Sequence, residues 1–199
     1  MLKRFLDIIL SLIVLVLLSP IIILTAIAIK IEDSGPIFYQ SNRVGKNGTV
    51  FKMWKFRSMI VNAENMGEKW GYAKNDPRIT KVGNLLRNTS LDEIPQIFNI
   101  LKGEMSIIGP RPGLKYQVEK YNDFQKQRLL VKPGVTGWAQ VNGRHELKWS
   151  QKIELDVWYI KNWSIWLDLR IFIKTIFIVL SRKGVASEQI SAEMEDFDT

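Results

Sequence analysis

The chain has 199 residues, with 28 Lys and Arg against 20 Asp and Glu, one His and no Cys. This length allows one domain with an appended segment. The lack of Cys excludes disulfides, zinc–thiolate sites and thiol nucleophiles, and a single His excludes a His-based triad or a multi-His metal site. Any chemistry here therefore uses carboxylates and basic groups, with oxygen ligands if a metal takes part.

The charge is unevenly distributed. Residues 188–199 hold five of the acids and none of the basic residues, which leaves +13 on residues 1–187. A strongly basic body predicts an anionic partner, which by composition alone is nucleic acid, an anionic membrane surface or a phosphorylated substrate. The acidic tail, taken as 186–199, is predicted to be disordered.

Residues 5–29 are almost continuously apolar, and a helix of this length can cross a hydrocarbon layer of ~30 Å. We therefore assign residues 1–33 to a membrane-embedded segment. Basic residues at both flanks favour the same side of the membrane for both ends. Ser19-Pro20 near the middle predicts a kink. A re-entrant helix-hairpin satisfies both features, and a kinked spanning helix is the alternative.

Residues 36–57 predict a β-hairpin, because β-prone runs flank the turn signal Lys46-Asn47-Gly48. Its basic side chains, which could simply be solvated, are Arg43, Lys46, Lys55 and Arg57. Residues 62–78 predict an irregular loop, and a short helix is expected at 80–88.

The central feature is the acidic pair Asp92-Glu93, which Pro95 follows closely. Proline fits a helix only in its first turn, so a helix is predicted to begin near Asp92, with Ser90 or Asp92 as N-cap. Its apolar stripe comprises Ile94, Ile97, Phe98 and Leu101. Both carboxylates would then lie at the positive end of the helix dipole, which suits a site for anions or a divalent metal. Simple helix capping is the alternative.

Three further predictions follow this helix, which should end at Lys102-Gly103. Prolines on both sides of Arg111 restrict its backbone and could aim its guanidinium at a phosphate, although a stiff turn with an incidental Arg fits equally well. A polar helix is expected at 114–131. The glycine-punctuated stretch 132–144 permits close approach to a ligand, as a plain loop also would.

The last ordered part, about 148–181, is rich in aromatic residues. Its apolar side chains at helical spacing are Trp166, Leu169, Ile173, Ile176, Phe177 and Leu180. Arg170 and Lys174 lie off this stripe. The pattern is typical of an amphipathic helix in the membrane interface, and a core helix of a soluble domain is the alternative.

Taken together, these stretches resemble the bacterial sugar transferases, the small monotopic polyprenyl-phosphate phosphoglycosyl transferases. The resemblance covers the chain to about residue 185, and its order and spacing are specific although each motif is short. The motifs are the hydrophobic segment with Ser19-Pro20, Lys55-Phe56-Arg57-Ser58-Met59, Leu91-Asp92-Glu93-Ile94-Pro95-Gln96, Lys102-Gly103-Glu104-Met105-Ser106, Gly109-Pro110-Arg111-Pro112, Pro133-Gly134-Val135-Thr136-Gly137 and Ala139-Gln140-Val141-Asn142-Gly143-Arg144.

The resemblance implies an α+β, mainly helical fold, with a re-entrant membrane helix-hairpin, a small β-hairpin and interfacial amphipathic helices. The catalytic domain, 34–185, would be monotopic at the cytoplasmic face of the bacterial inner membrane. Its reaction would transfer phospho-sugar from a UDP-sugar to polyprenyl (undecaprenyl) phosphate and release UMP, the first membrane step of surface polysaccharide or glycoconjugate biosynthesis. The partners would be these substrates and inner-membrane lipids, and not nucleic acid. The chain resembles a minimal catalytic form of the family.

The resemblance also implies roles for individual residues. Asp92 would be the nucleophile of a covalent aspartyl-phosphosugar intermediate, and Mg²⁺ would bridge the diphosphate and the Asp92-Glu93 pair. Glu93 would orient the metal or assist proton handling. The remaining assignments are phosphate binding by Lys55, Arg87 and Arg111, nucleotide-sugar binding by Gln140, Asn142 and Arg144, and a supporting role for Asp156. The chain departs from many relatives at His145, where Asn or Asp is common.

Two other functions also fit parts of the sequence. A non-enzymatic membrane adaptor would use the basic face to bind anionic lipid or nucleic acid, and it would tolerate Asp92→Asn. A conventional glycosyltransferase would release UDP rather than UMP.

Overall fold

The fold is mainly helical, with two small sheets, in a computed structural model that describes residues 1–66, 76–143 and 147–181. The helices are α1 (Leu2–Glu32), α2 (Lys81–Thr89), α3 (Gln96–Lys102), α4 (Lys115–Glu119), α5 (Asp123–Lys126), α6 (Trp138–Val141), α7 (Trp149–Lys161) and α8 (Ile165–Ser181). The strands are β1 (Phe38–Val44), β2 (Val50–Phe56), β3 (Ser106–Ile108) and β4 (Gly134–Thr136). Short 3₁₀ turns occupy Lys46–Gly48, Ala63–Asn65, Leu91–Glu93 and Gln127–Leu130.

Helix α1 contains the predicted apolar segment as one helix of 31 residues, with Pro20 inside it. Among the described residues, it is the one helix long and apolar enough to cross a membrane. Pro20 has no N–H for the carbonyl of Val16, four residues earlier. The Ser19 hydroxyl donates to that carbonyl at 2.8 Å instead. Pro20 thus removes one backbone hydrogen bond of α1, and the Ser19 hydroxyl supplies a donor for the carbonyl that has lost its partner.

The N-terminal end of α1 is attached to the folded domain by polar side chains. The Arg4 guanidinium donates to the carbonyls of Ile100 and Leu101, the last turn of α3, at 2.5 and 2.9 Å. Asp7 is buried and accepts hydrogen bonds from the Ser106 hydroxyl and the Ile107 N–H of β3, both at 3.0 Å. These hydrogen bonds attach α1 to the sheet, which explains why an aspartate interrupts the apolar run.

The C-terminal end of α1 is attached to the same domain. The Glu32 carboxylate accepts from the backbone N–H groups of Lys81 and Val82 at 2.6 and 2.9 Å, so it caps the start of α2 from outside that helix. Arg57 donates to the Asp33 carbonyl at 2.7 Å and lies 3.4 Å from its carboxylate. Both ends of α1 therefore contact one domain.

The β-hairpin and the short helix before the acidic pair are confirmed. Strands β1 and β2 pair antiparallel, with Tyr39 opposite Lys55 and Arg43 opposite Phe51. The parallel pair of β3 and β4 was not predicted. Each strand has only three residues, too few for a period-2 pattern, and their partners are distant in sequence. Gly134 allows this approach, because a Cβ there would lie 2.1 Å from the Gly109 nitrogen.

The predicted start of α3 is wrong, and its predicted apolar stripe is buried only in part, at Ile97. The helix begins at Gln96 after the Leu91–Glu93 turn, and Ser90 ends α2 with φ of 58° and makes no side-chain cap. Phe98 is exposed, whereas Asn99 is fully buried. The reason is the Asn99 amide, which accepts from the N–H of Trp54 at 3.0 Å and donates to the carbonyl of Lys52 at 2.7 Å. Edge hydrogen bonds of β2 therefore decide which face of α3 is buried.

The single polar helix predicted at 114–131 is also wrong, because the segment forms α4, α5 and a 3₁₀ turn. Asn122 starts α5 with a capping box: its side chain accepts from the Gln125 N–H at 2.9 Å, and the Gln125 side chain accepts from the Asn122 N–H at 3.0 Å. Because this cap starts a new helix, the segment is not one continuous helix.

Helix α8 buries one face, which includes Leu167 and Ile171, and leaves the predicted apolar stripe exposed. Within the stripe, Trp166 is 78% exposed and Phe177 68%. The side chain of Leu180 lies outside the described residues. The core forms three clusters: Phe51, Met53, Ile100 and Met105; Ile108, Val141, Tyr159, Leu167 and Ile171; and Ile29, Phe56 and Leu86.

Candidate active site

The acidic pair lies in the Leu91–Glu93 turn, where it faces β2. Asp92 is buried, and Lys55 of β2 reaches both carboxylates. The Lys55 ammonium lies 3.2 Å from Asp92 Oδ2 and 2.8 Å from Glu93 Oε1. A lysine between two adjacent acids neutralises part of their mutual repulsion and keeps both side chains in one place.

Arg111 approaches the pair from the other side. Its guanidinium donates to Glu93 Oε1 at 2.6 Å, and its side chain remains 46% exposed. The flanking prolines lie in the loop that follows β3. The structure therefore brings together four of the predicted residues, Asp92, Glu93, Lys55 and Arg111, which we call the open cluster.

The electrostatics of the open cluster favour charged side chains. Burial by itself would raise the pKa of Glu93, but the charges of Arg111 and Lys55 and their hydrogen bonds hold that pKa well below its ordinary range. Glu93 is therefore ionised at neutral pH. An ionised carboxylate binds cations and is not a proton donor.

Arg87 lies at the end of α2, and its Nε donates to the Ser58 hydroxyl at 2.8 Å. Ser58 belongs to the same short motif as Lys55. Arg87 is thus held beside the end of β2, next to the segment that carries Lys55.

Asp156 lies in a second ionic cluster, which we call the buried cluster: Tyr121, Arg128 and Asp156. Arg128 donates to Asp156 at 2.9 Å, to the Tyr121 hydroxyl at 2.6 Å and to the Arg111 carbonyl at 2.9 Å. Burial would lower the pKa of Arg128, but Asp156 and Tyr121 raise it above its ordinary value. Asp156 therefore supports the backbone of Arg111 through Arg128. Arg128 was not predicted from the sequence, because one Arg in a basic, polar segment gives no signal of its own.

Two of the three predicted nucleotide-sugar residues, Gln140 and Asn142, lie in α6 or directly after it. Asn142 donates to the Trp138 carbonyl at 2.8 Å and accepts from Lys174 at 3.2 Å. Both amide atoms of Gln140 are buried without a hydrogen-bond partner among the described residues. Arg144 lies outside the described residues. Where the structure describes them, Gln140 and Asn142 make no hydrogen bond with the acidic pair.

The small parallel sheet nevertheless relates α6 to the open cluster. Strand β3 leads into the loop of Arg111, strand β4 leads into α6, and parallel strands end at the same edge of their sheet. The Gly109 N–H donates to the Thr136 carbonyl at 2.9 Å at this edge. Gln140 and Arg111 are therefore carried by neighbouring connections.

The oxygen atoms of Asp92 and Glu93 are the donors in this cluster that suit a hard cation. In the described part of the chain, no group of three or more His, Cys, Asp or Glu could enclose a metal ion. This donor set fits Mg²⁺, which commonly takes one or two carboxylates and completes its shell with substrate phosphates and water. Lys55 and Arg111 occupy the same oxygens in this structure, so they would have to move as a metal binds.

Comparison with known proteins agrees with this site. The family model described as bacterial sugar transferase matches residues 1–182. The chain is 40% identical to the uncharacterized sugar transferase EpsL of Bacillus subtilis, over 96% of this chain and 94% of that protein. The chain therefore belongs to the bacterial sugar transferase family.

Two longer relatives have names that describe a reaction. One is the undecaprenyl-phosphate galactose phosphotransferase of Salmonella typhimurium, at 42% identity over 92% of this chain and 41% of the relative. The other is the UDP-glucose:undecaprenyl-phosphate glucose-1-phosphate transferase of Escherichia coli, at 45% identity over 89% of this chain and 40% of the relative. The chain spans about two fifths of the length of these two proteins.

Proposed function

We propose that the protein transfers a phospho-sugar from a UDP-sugar to polyprenyl (undecaprenyl) phosphate and releases UMP. The observation that carries this proposal is the open cluster, in which a buried aspartate lies beside an ionised glutamate, a lysine and an arginine. The names of the two longer relatives support it, since both describe sugar-phosphate transfer to undecaprenyl phosphate.

The first step is an attack by Asp92. One oxygen of its carboxylate forms a bond to the sugar-bearing phosphorus, and the bond from that phosphorus to the bridging oxygen breaks. UMP leaves with the electron pair of that bond, and a phosphosugar ester remains on Asp92. Lys55 and Arg111 bind the phosphate oxygens and hold them in line with the carboxylate, which is how enzymes lower the barrier to phosphoryl transfer.

The second step reverses the chemistry at Asp92. A phosphate oxygen of the lipid attacks the phosphorus of the ester, and the carboxylate leaves. The product is a lipid diphosphate sugar, and the two steps balance without net proton transfer when the lipid phosphate reacts as a dianion. An ionised Glu93 suits this scheme, because its role is then to hold cations rather than to move a proton.

Mg²⁺, bound by Asp92 and Glu93, would neutralise charge on the diphosphate. Basic side chains of the protein would then contact the phosphates of the substrate. Lys55 and Arg111, which pair with the carboxylates in this structure, would bind phosphate oxygens. We further assign Gln140, Asn142 and Arg144 to the nucleotide sugar and Arg87 to a phosphate.

We also propose that α1 enters the membrane and returns, so that residues 34–185 form a domain on the cytoplasmic face of the bacterial inner membrane. A spanning helix would place its ends on opposite sides of a ~30 Å layer. Here Asp7 and Glu32, near opposite ends of α1, both bind backbone groups of one domain. The exposed middle of α1, including Val16 and Leu17 at 72% and 70% exposure, and the stripe on α8 supply the apolar surface for the bilayer.

Cysteine labelling tests this topology, since the chain has no natural Cys. Single cysteines at Leu2 and Val61, both exposed, should react with an impermeant thiol reagent from the same side of the membrane. Labelling from opposite sides would contradict the re-entrant arrangement.

The reaction is tested by nucleotide release from a panel of UDP-sugars, with undecaprenyl phosphate and Mg²⁺ in detergent. We expect UMP from one or two donors and none from Asp92→Asn. Release of UDP would instead indicate a conventional glycosyltransferase. Turnover that is unchanged in Asp92→Asn would contradict the role of Asp92, and a membrane adaptor would release no nucleotide from any donor.

A further inference from the structure

Arg43 is a half-buried cation that the proposed reaction has not used. Its one hydrogen bond to the described residues runs from Nε to the Ser41 hydroxyl at 3.3 Å, and it forms no ion pair there. Removing a charge from water is costly unless an opposite charge or strong hydrogen bonds replace the lost hydration. An arginine in this position therefore calls for an anionic partner.

The hairpin places Arg43 on the face that carries Lys55. Side chains alternate along a strand, so Tyr39 and Arg43 of β1 share one face, and Tyr39 pairs with Lys55. Phe51, opposite Arg43, is buried in the cluster with Ile100 of α3. This face therefore packs towards the helix that follows the acidic pair.

A backbone contact places β1 against the loop of Arg111. The Val44 N–H donates to the Gly113 carbonyl at 3.0 Å, and the two residues form an isolated antiparallel bridge. Arg43 precedes Val44, and Arg111 lies two residues before Gly113. Burial and the charge of Arg111 lower the pKa of Arg43 to about 10, against opposing effects of Tyr39 and Glu93. Arg43 remains charged at neutral pH and repels Arg111.

We infer that Arg43 and Arg111 form a guanidinium pair that binds the diphosphate of the donor, with Arg43 as a phosphate-binding residue beyond those assigned above. This inference rests on the proposed function. The repulsion between two arginines is relieved when phosphate oxygens lie between them, and each planar guanidinium can donate two parallel hydrogen bonds. The phosphates are then surrounded by three basic side chains, which are Arg43 of β1, Lys55 of β2 and Arg111 of the loop after β3.

The test measures binding by the wild-type full chain, with ligands that carry no sugar and therefore cannot be turned over. UDP, UMP and uridine are titrated with Mg²⁺ against this parent, Arg43→Met and Arg43→Lys. The matched control is Lys52→Met, which removes the same charge from an exposed residue on the opposite face of the hairpin. Thermal unfolding of each variant separates misfolding from a loss of binding.

We expect Arg43→Met to weaken UDP binding about 10-fold or more, since a charge-assisted contact is lost, and to leave uridine binding within about twofold. Arg43→Lys should recover part of the affinity, because lysine keeps the charge but not the fork. Lys52→Met should match the parent for all three ligands. Equal UDP affinity in Arg43→Met and the parent, or an equal loss for uridine and UDP, would overturn the inference. A parent that binds no UDP would instead overturn the proposed function.

Discussion

The open cluster and the buried cluster each pair acidic with basic side chains, and they differ in burial. In the buried cluster, the side chains of Arg128 and Asp156 are 6% and 2% exposed, and the two charges match one to one. In the open cluster, Lys55 is shared between two carboxylates and Glu93 between two cations. The first arrangement is a matched ion pair that is closed to solvent. The second can exchange its internal ion pairs for contacts with a charged substrate.

Arg111 joins the two clusters. Its side chain belongs to the open cluster, and its backbone carbonyl accepts a hydrogen bond from Arg128. The buried cluster therefore holds the loop of Arg111 in place, and the open cluster uses the charge that Arg111 presents. Substitutions should separate these tasks experimentally.

The largest effect is expected for Asp92→Asn, which removes the proposed nucleophile of the open cluster. Turnover should fall by on the order of 10⁴-fold, as for other residues that act as one catalytic unit. The melting temperature should change little, because Lys55 keeps its contact with Glu93. The assay is UMP release, with Asp123→Asn, an exposed acid on α5, as the control. Turnover within tenfold of wild type would contradict the prediction.

Asp156→Asn should mainly lower stability, in contrast to Asp92→Asn, because it leaves Arg128 buried without its counter-charge. Breaking a buried ion pair in this way costs about 3–5 kcal/mol of unfolding free energy. At this chain length that corresponds to a melting temperature lower by roughly 10 °C. Thermal unfolding measures the loss, and Asp123→Asn again serves as the control, with no change expected. A stable Asp156→Asn protein would mean that the buried cluster is not what fixes the Arg111 loop.

Arg111→Met tests the residue that the clusters share. We expect turnover to drop by about 10²–10³-fold, because a positioned charge at the reacting phosphate is lost. Stability should be almost unchanged, since the side chain is half-exposed and exposed ion pairs contribute little. Lys115→Met, an exposed lysine on α4, is the control for loss of charge. A fall in melting temperature as large as that of Asp156→Asn would show that the Arg111 side chain has a structural task.

Glu93→Gln should change the free energy of unfolding by a small amount that depends on pH. The pKa of Glu93 is lowered in the folded chain from an ordinary value of 4.5. Its ion pairs therefore stabilise the fold above that value, and this contribution disappears as the pH falls through the folded pKa. Wild type should exceed Glu93→Gln by about 1 kcal/mol at pH 7.

That difference should shrink as unfolding is followed from pH 5 to pH 3. A difference that stays constant over this range would mean that ionisation of Glu93 contributes nothing to stability.

Local patterns predicted the elements that depend on local sequence. The apolar run, the Lys46-Asn47-Gly48 turn and the proline after the acidic pair placed α1, the hairpin and the region of the site. The parallel pair β3–β4 and the buried face of α3 depend on backbone contacts between distant segments, which no local pattern reports. The backbone of Ser90 was not predicted either, since its left-handed conformation ends α2 and does not start α3.

The candidate site was predicted through the acidic pair and the family resemblance, and the structure brings Lys55 and Arg111 to that pair. Arg128 and Arg43 were not assigned to the site. In a chain with 28 basic residues, one more arginine carries no signal until its burial and its partners are known.

The mass of the intact protein shows whether Asp92 becomes covalently attached to the phospho-sugar. Purified protein is mixed with Mg²⁺ and the donor that gives UMP, without lipid phosphate, and quenched in acid. We expect an adduct with the mass of one phospho-sugar, located on the peptide that contains Asp92, absent from Asp92→Asn and discharged by undecaprenyl phosphate. An unmodified protein during active turnover, or an adduct that persists in Asp92→Asn, would contradict this expectation.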